Sequence, residues 1–207
     1  DLEISSLYFN LDAYLNENFR LAAGLRFEDG EQMVNTYDVF QIVDNNIEKV
    51  IDEDYTLPSF TLTYLPEFDE NLQIRFGLSQ TIARPTFREL SPTLFIDVDT
   101  DRVISGSLYL ENSEIDNIDL RVEYYWGFNQ FLTAGLFFKD ISKPIEEVVN
   151  ESGDLIITSY QNVPSAEVTG FEIEYERIYE DLLPDSKWGS TKAVSYTHLT
   201  LPTSQLV

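Results

Sequence analysis

The chain has 207 residues, 43% of them hydrophobic and 14% aromatic, enough apolar material to bury a core. Its formal charge of −24, from 37 acidic against 13 basic residues, leaves little to neutralise phosphates and excludes nucleic acid as a partner. There is no Cys and one His, His198, so disulfide frameworks, thiolate metal sites and cysteine nucleophiles fall away together; no apolar run approaches the length of a transmembrane helix, and the start at Asp1 has neither Met nor signal peptide and reads as a cut end.

The first strand is expected over 4–15, with Leu7, Phe9, Leu11, Ala13 and Leu15 on one face and Tyr8, Asn10, Asp12 and Tyr14 on the other. Asn16-Glu17-Asn18 turns the chain tightly. The return over 19–28 sets Phe19, Leu21, Ala23, Leu25 and Phe27 against Arg20, Ala22, Gly24, Arg26 and Glu28, so the hairpin has one continuous apolar face. Residues 29–54 form a long acidic connection in which TYDVFQIV and IEKVI could prolong the neighbouring strands as a projecting hairpin. A third strand follows over 57–65, with Pro58 near its start, where a missing N–H is tolerated.

After a short turn at 66–71, Leu72, Ile74, Phe76 and Leu78 alternate with Gln73, Arg75, Gly77, Ser79 and Thr81 over about ten residues, the length a tilted strand needs to cross a bilayer. Alternation alone also fits a half-buried strand in a soluble sandwich. A long, less regular connection occupies 84–116. The next hairpin runs 118–126 and 131–141 around a turn at 127–130, with Phe137 an apolar exception on its polar side. Tyr124, Trp126 and Phe131 gather beside that turn, where an interfacial aromatic girdle would lie. A third long connection, 142–165, holds its own hairpin around 151–154, and the last strand, 167–176, alternates Thr169, Phe171, Ile173 and Tyr175 with Gly170, Glu172, Glu174 and Glu176.

About seven strands are therefore expected, joined by connections that are alternately short and long. Outer-membrane barrels sort their connections this way, with apolar residues outward and polar residues toward the lumen. Charged mid-strand residues such as Arg75, Arg121, Glu123, Glu172 and Glu174 would be costly in a small dry core and are normal facing a wet or plugged lumen. The expected fold is all-β: part of an antiparallel transmembrane β-barrel.

The residues QTIARPTFREL, GLFFKDISKPIEE and NVPSAEVTGFEIEYE, and the pair Tyr124-Tyr125 after Glu123, occur in an order that resembles the β-barrel of TonB-dependent outer-membrane receptors over about residues 1–180. The family's Thr-x-x-Arg-Pro sequence is matched by Thr81, Arg84 and Pro85. Its Phe-x-Lys-x-Ile-x-x-Pro-Ile sequence is matched by Phe137, Lys139, Ile141, Pro144 and Ile145, and its Gly-x-Glu-x-Glu element by Gly170, Glu172 and Glu174. The family's Gly-Asn-Pro-x-Leu loop departs to Gly106-Ser107-Leu108-Tyr109-Leu110, so a local turn is expected to differ.

The resemblance implies a middle-to-late slice of a plugged barrel of about 22 strands, lacking the N-terminal plug, the TonB-contacting segment and the final strands. It implies an outer-membrane location in a Gram-negative bacterium and uptake of a scarce nutrient, such as a ferric siderophore or another large ligand. The implied partners are outer-membrane lipid, the TonB energy-transducing complex and the extracellular ligand. A soluble all-β module such as a carbohydrate-binding sandwich and a passive porin remain as alternatives.

No enzymatic role, cofactor or metal is assigned. Glu172 and Glu174 share a face as an acid/base pair would, but read better as a solvated lumen wall. Asp52-Glu53-Asp54 and Asp97-Asp99-Asp101 offer oxygen ligands for a divalent cation, yet the second lacks the Gly and closing Glu of an EF-hand, and both read as solvated loops. Ser91, Ser105 and Ser107 have no His for a triad. Arg84 and Arg88 could steer an anionic ligand or pair with acidic plug or barrel residues, and the sequence favours neither. Thr81, Arg84, Pro85, Lys139, Pro144, Gly170, Glu172 and Glu174 are thus carried forward as mainly structural motif positions. Val194–Thr203, VSYTHLTLPT, matches the in-frame translation of a transposon-end adaptor used in building sequencing libraries, so 1–193 is taken as barrel and 194–207 is set aside as not native.

Overall fold

The computed structural model describes residues 1–36, 47–97, 102–127, 130–152, 155–178 and 192–204. In chain order its elements are β1 (Leu2–Tyr14), β2 (Phe19–Thr36), β3 (Ile47–Tyr64), β4 (Leu72–Ala83), α1 (Phe87–Leu90), β5 (Phe95–Asp97), β6 (Arg102–Ile104), β7 (Ser113–Gly127), β8 (Gln130–Ser142), β9 (Ile145–Ser152), β10 (Leu155–Asn162), β11 (Ser165–Ile178) and β12 (Lys192–Ser204). Eight strands make one sheet in the order β1-β2-β3-β4-β7-β8-β11-β12, with every neighbouring pair antiparallel. A smaller sheet runs β5-β6-β10-β9. The eighth strand of the large sheet lies in the stretch the sequence sets aside: 192–204 pairs along β11 from Ile178↔Lys192 to Ala166↔Ser204.

The period-two pattern fixes both faces, because side chains in direct register share a side. One register row reads Ala13, Leu21, Leu62, Phe76, Leu120, Leu136 and Phe171, and the next toward the short turns reads Tyr64, Ile74, Val122, Ala134 and Ile173. The opposite face carries Asp12, Arg20, Thr63, Arg75, Arg121, Gly135 and Glu172. Phe137 belongs to this polar face, where it stands opposite Gly170, a residue with no side chain to oppose it.

Nothing described covers the apolar face. Leu7, Phe9, Leu11 and Leu136 are each about 60% exposed, and Phe76, Ile118, Leu120 and Ile173 about 40%. A water-soluble fold does not leave an apolar sheet face of this extent uncovered. A sandwich would lay its second sheet there; here the smaller sheet and the connection after β4 lie instead on the polar-face side of β2, whose Glu28, Gly30, Gln32 and Val34 are buried while the alternating Phe27, Asp29 and Glu31 are exposed.

The apolar window is bounded at both ends. At the short turns Phe19 and Tyr64 pack with ring centroids 5.0 Å apart, Tyr124 and Trp126 6.0 Å, and Trp126 and Tyr175 5.8 Å. At the other end exposed acids close it: Asp29 and Asp54 on β2 and β3, Asp116, Asp140 and Glu167 on β7, β8 and β11. The acidic limit lies about four residues further along β2 than the β8 side of the sheet would extrapolate, the offset that strand tilt and shear produce in a barrel.

Some local expectations change. A bulge between Tyr125 and Gly127 shifts the register, and Phe131 pairs with Tyr125 on the polar face, so only Tyr124 and Trp126 of the three expected girdle aromatics face the apolar side. Leu15 lies in the turn beyond β1, where Asn16 Oδ1 accepts hydrogen bonds from the backbone N–H of Asn18 (2.9 Å) and Phe19 (2.8 Å). Pro58 sits in the middle of β3, not near its start, one residue before the described ladder with β4 begins at Ser59↔Ser79, so a strand carrying Pro is paired on one side there. The 29–54 connection is largely strand: Thr36 pairs with Ile47, IEKVI lies in β3, and the rest of TYDVFQIV lies outside the described residues.

Candidate functional site

The polar face carries two charge networks, one near each end. Toward the short turns, Arg75 and Arg121 are direct register partners, a like-charge pairing that destabilises a sheet unless something intervenes. Glu123 intervenes. Its side chain is only 3% exposed, with Arg75 Nη2 at 3.3 Å and Arg121 Nε at 3.0 Å, while Tyr125 OH donates to it at 3.0 Å and Gln73 Nε2 donates as well. Arg121 also donates to Thr133 Oγ1 at 3.3 Å and approaches Glu174 at 3.9 Å. A buried carboxylate is stable here because both oxygens have cationic or hydrogen-bond partners.

Toward the long connections the centre is Glu28, whose side chain is 4% exposed. Arg26 from the same strand and Arg84 from the connection after β4 each lie 2.5 Å from its carboxylate. Gly30 makes room for this, since a Cβ there would stand 2.6 Å from Arg84 Nη2. Beside it the buried Gln32 Nε2 donates to the Pro85 carbonyl at 2.7 Å.

Arg84-Pro85 leads into α1 through a capping box: Thr86 Oγ1 accepts from Glu89 N–H (3.3 Å) and Thr86 N–H donates to Glu89 Oε2 (2.6 Å). Leu90 at the end of that turn is fully buried and joins Leu110, Ile51 and Val34 in an apolar cluster, against which Ile145 and Tyr160 pack. Gly106 lies against the helix end. Its N–H donates to the Ser91 carbonyl at 2.8 Å, and a Cβ would stand 2.7 Å from the Arg88 carbonyl and closer still to those of Glu89 and Ser91. The departure at 106–110 therefore builds a turn that seats Leu110 in the cluster.

The next tie is polar. Glu111 pairs with Lys143, and through that hydrogen bond Lys143 holds the Glu111 carboxyl below the usual carboxylate range while Glu111 raises Lys143. Lys143 takes a left-handed φ of 52°, unusual for a non-glycine residue, with its carbonyl accepting from Ser113 Oγ (2.8 Å) and Asn162 Nδ2 (2.6 Å). Asn112 Nδ2 donates to Glu53 Oε2 and Tyr55 OH, each at 3.1 Å.

The motif positions do not converge on one site. Thr81 Oγ1 accepts from Asn117 Nδ2 at 3.1 Å, Arg84 and Pro85 hold the connection after β4 against β2, and the buried Pro144 accepts from Val163 N–H at 2.9 Å. Lys139, Gly170, Glu172 and Glu174 lie along the polar wall, opposite Val168, Phe137, Gly135 and Thr133. Of the two candidate steering arginines, Arg84 is engaged by Glu28, whereas Arg88 is exposed, with its guanidinium 3.9 Å over the Phe95 ring. Asp52 and Asp54 face the acidic outer side and Glu53 the opposite one; Asp97 ends β5, and Asp99 and Asp101 lie outside the described residues. Among the described residues no three acidic or His side chains are grouped to hold a metal ion.

Sequence reasoning missed Glu28 and Gln32 as tie points and saw Glu123 only as a mid-strand charge. The signal for Glu123 is the misplaced charge itself; of its partners, Arg121 and Tyr125 lie two residues away on the same strand, while Gln73 and Arg75 lie on a neighbouring strand about fifty residues away.

The family model described as TonB dependent receptor-like, beta-barrel, matches residues 1–205. No curated protein matches the chain in sequence. Solved structures of receptors share its fold, among them the following three. The Serratia marcescens hemophore receptor HasR, in complex with its hemophore HasA and heme, is 13% identical with a TM-score of 0.64, covering 84% of this chain and 32% of that one. The ferric enterobactin receptor PfeA of Pseudomonas aeruginosa is 20% identical with a TM-score of 0.61, covering 97% and 27%. The siderophore receptor PirA from Pseudomonas aeruginosa is 14% identical with a TM-score of 0.61, covering 98% and 43%. The chain thus spans less than half the length of each of these proteins.

Proposed function

Because this chain belongs to the TonB-dependent receptor family through its β-barrel domain, we propose that it is part of a Gram-negative outer-membrane receptor that takes up a scarce nutrient, such as a ferric siderophore or another large ligand, with energy delivered through TonB. The observation that carries the reading is the two-faced sheet: an uncovered apolar side bounded by aromatics and acids, suited to lipid, and a charged side suited to a filled lumen. The structured cap made by the long connections would meet ligand first. Siderophores and heme named for the similar receptors support the ligand class; of the two candidate arginines, Arg88, held over Phe95, is the one left to steer an anionic chelate.

The motif positions are read as structural: Arg84, Pro85 and Pro144 anchor the cap, and Thr81, Lys139, Gly170, Glu172 and Glu174 line the wall. Residues 194–207 are read as translated adaptor, which DNA from the source organism decides: a gene that continues with the same codons past position 193 would overturn that reading.

In cells expressing the intact gene, ligand uptake is expected to stop when the inner-membrane proton gradient is collapsed, while surface binding persists. Uptake that continues unchanged would favour a passive porin.

A further inference from the structure

We propose that the described parts of the three long connections of this chain move as a single body, with 84–97 and 102–112 as the keystone. The inference rests on packing and stands whatever nutrient the receptor takes.

The apolar cluster draws on all three. Val34 and Ile51 come from the extension of β2 and β3, Leu90 and Leu110 from the connection after β4, and Ile145 and Tyr160 from the β9–β10 hairpin. Among the described residues no connection has a core of its own: a short helix with three-residue strands cannot bury one alone, nor can a single two-stranded hairpin. The polar ties have a direction as well. The keystone residues hold the β2–β3 extension through Arg84–Glu28, Pro85–Gln32 and Asn112–Glu53. They hold the β9–β10 hairpin through the parallel β6–β10 ladder, through Ser105 N–H donating to the Thr158 carbonyl at 2.9 Å, and through Glu111 with Lys143 and Asn162. The extension and the hairpin also meet in the shared cluster.

Elements that share one core open together, since local unfolding proceeds in cooperative units. A ligand touching the β9–β10 hairpin is therefore felt at Val34 and Ile51, with no contact of its own there. Freeing the keystone frees both flanks.

The test is amide hydrogen exchange on the full-length receptor in lipid nanodiscs. Leu90→Ala removes the centre of the cluster; Arg84→Gln breaks the tie to Glu28, remote from the hairpin. Retained heat-modifiable migration in gels checks that the barrel still closes. Each variant is expected to raise exchange in 28–34, in 48–53 and in 145–149 together, by about tenfold or more for Leu90→Ala. Faster exchange confined to 84–92 in either closed variant, with 145–149 unchanged, would show that the connections move independently and overturn the proposal. If Leu90→Ala prevents closure, Arg84→Gln decides alone.

Discussion

Leu136→Arg in the intact barrel lowers the free energy of unfolding by roughly 2 to 4 kcal/mol, the cost of a cation on the lipid face near the bilayer midplane. Leu136 is 60% exposed on the apolar face and lies between Leu132 and Phe138, the limits of the apolar run on β8, with Leu120 and Phe171 as its register partners. Ile173→Arg, one row away, is expected to behave alike. Asp119→Arg, on the polar face opposite Gly77 and Phe137, costs much less, because a wet lumen accepts either sign of charge. Denaturant unfolding of the variants in one lipid provides the comparison. An Asp119→Arg effect as large as that of Leu136→Arg would mean that the two faces are not lipid and lumen.

The second large effect is expected at Glu123. Glu123→Leu leaves Arg75 and Arg121 facing each other in direct register without the carboxylate between them. Removing one partner of a buried ion pair costs about 3 to 5 kcal/mol, and the lower end applies because both guanidiniums are nearly half exposed. Glu123→Gln is milder, since an amide can still accept from Tyr125 and Gln73. Arg75→Gln in the Glu123→Leu background should recover part of the loss by removing the unneutralised like-charge pair. If the double variant is as unstable as the sum of the singles, Glu123 acts by packing and not by pairing.

Much of the wall is legible in the sequence because period-two alternation is a local property. Phe171, Ile173 and Tyr175 against Glu172 and Glu174 declare their faces before any partner strand is known, and the tight turn at 16–18 carries the Asn that closes it. What is not legible depends on contacts that sequence spacing does not encode. The bulge at Tyr125–Gly127, which shifts the register at the turn, has no signature in the local pattern. The cap is hidden for the same reason. β5 and β6 are three residues each, β6 pairs in parallel with a strand about fifty residues away, and Leu90 and Leu110 sit in no periodic run, so nothing in their neighbourhood marks them as fully buried. The sequence leaves Arg84 between two roles because the choice turns on Glu28, which is distant in sequence and adjacent only once β2 extends beyond its lipid-facing part.

The alternation of environments along one strand tests the central claim most directly. The chain has no Cys, so single cysteines can be placed from Phe131 to Asp140 in an otherwise Cys-free full-length receptor, spin-labelled and reconstituted into vesicles. Labels at 132, 134, 136 and 138 are predicted to collide with oxygen dissolved in lipid and be shielded from a water-soluble paramagnetic reagent. Labels at 133 and 135 are predicted to show little contact with lipid oxygen. Labels on both sets that are equally accessible to the aqueous reagent, with no period of two, would contradict the lipid-facing barrel wall.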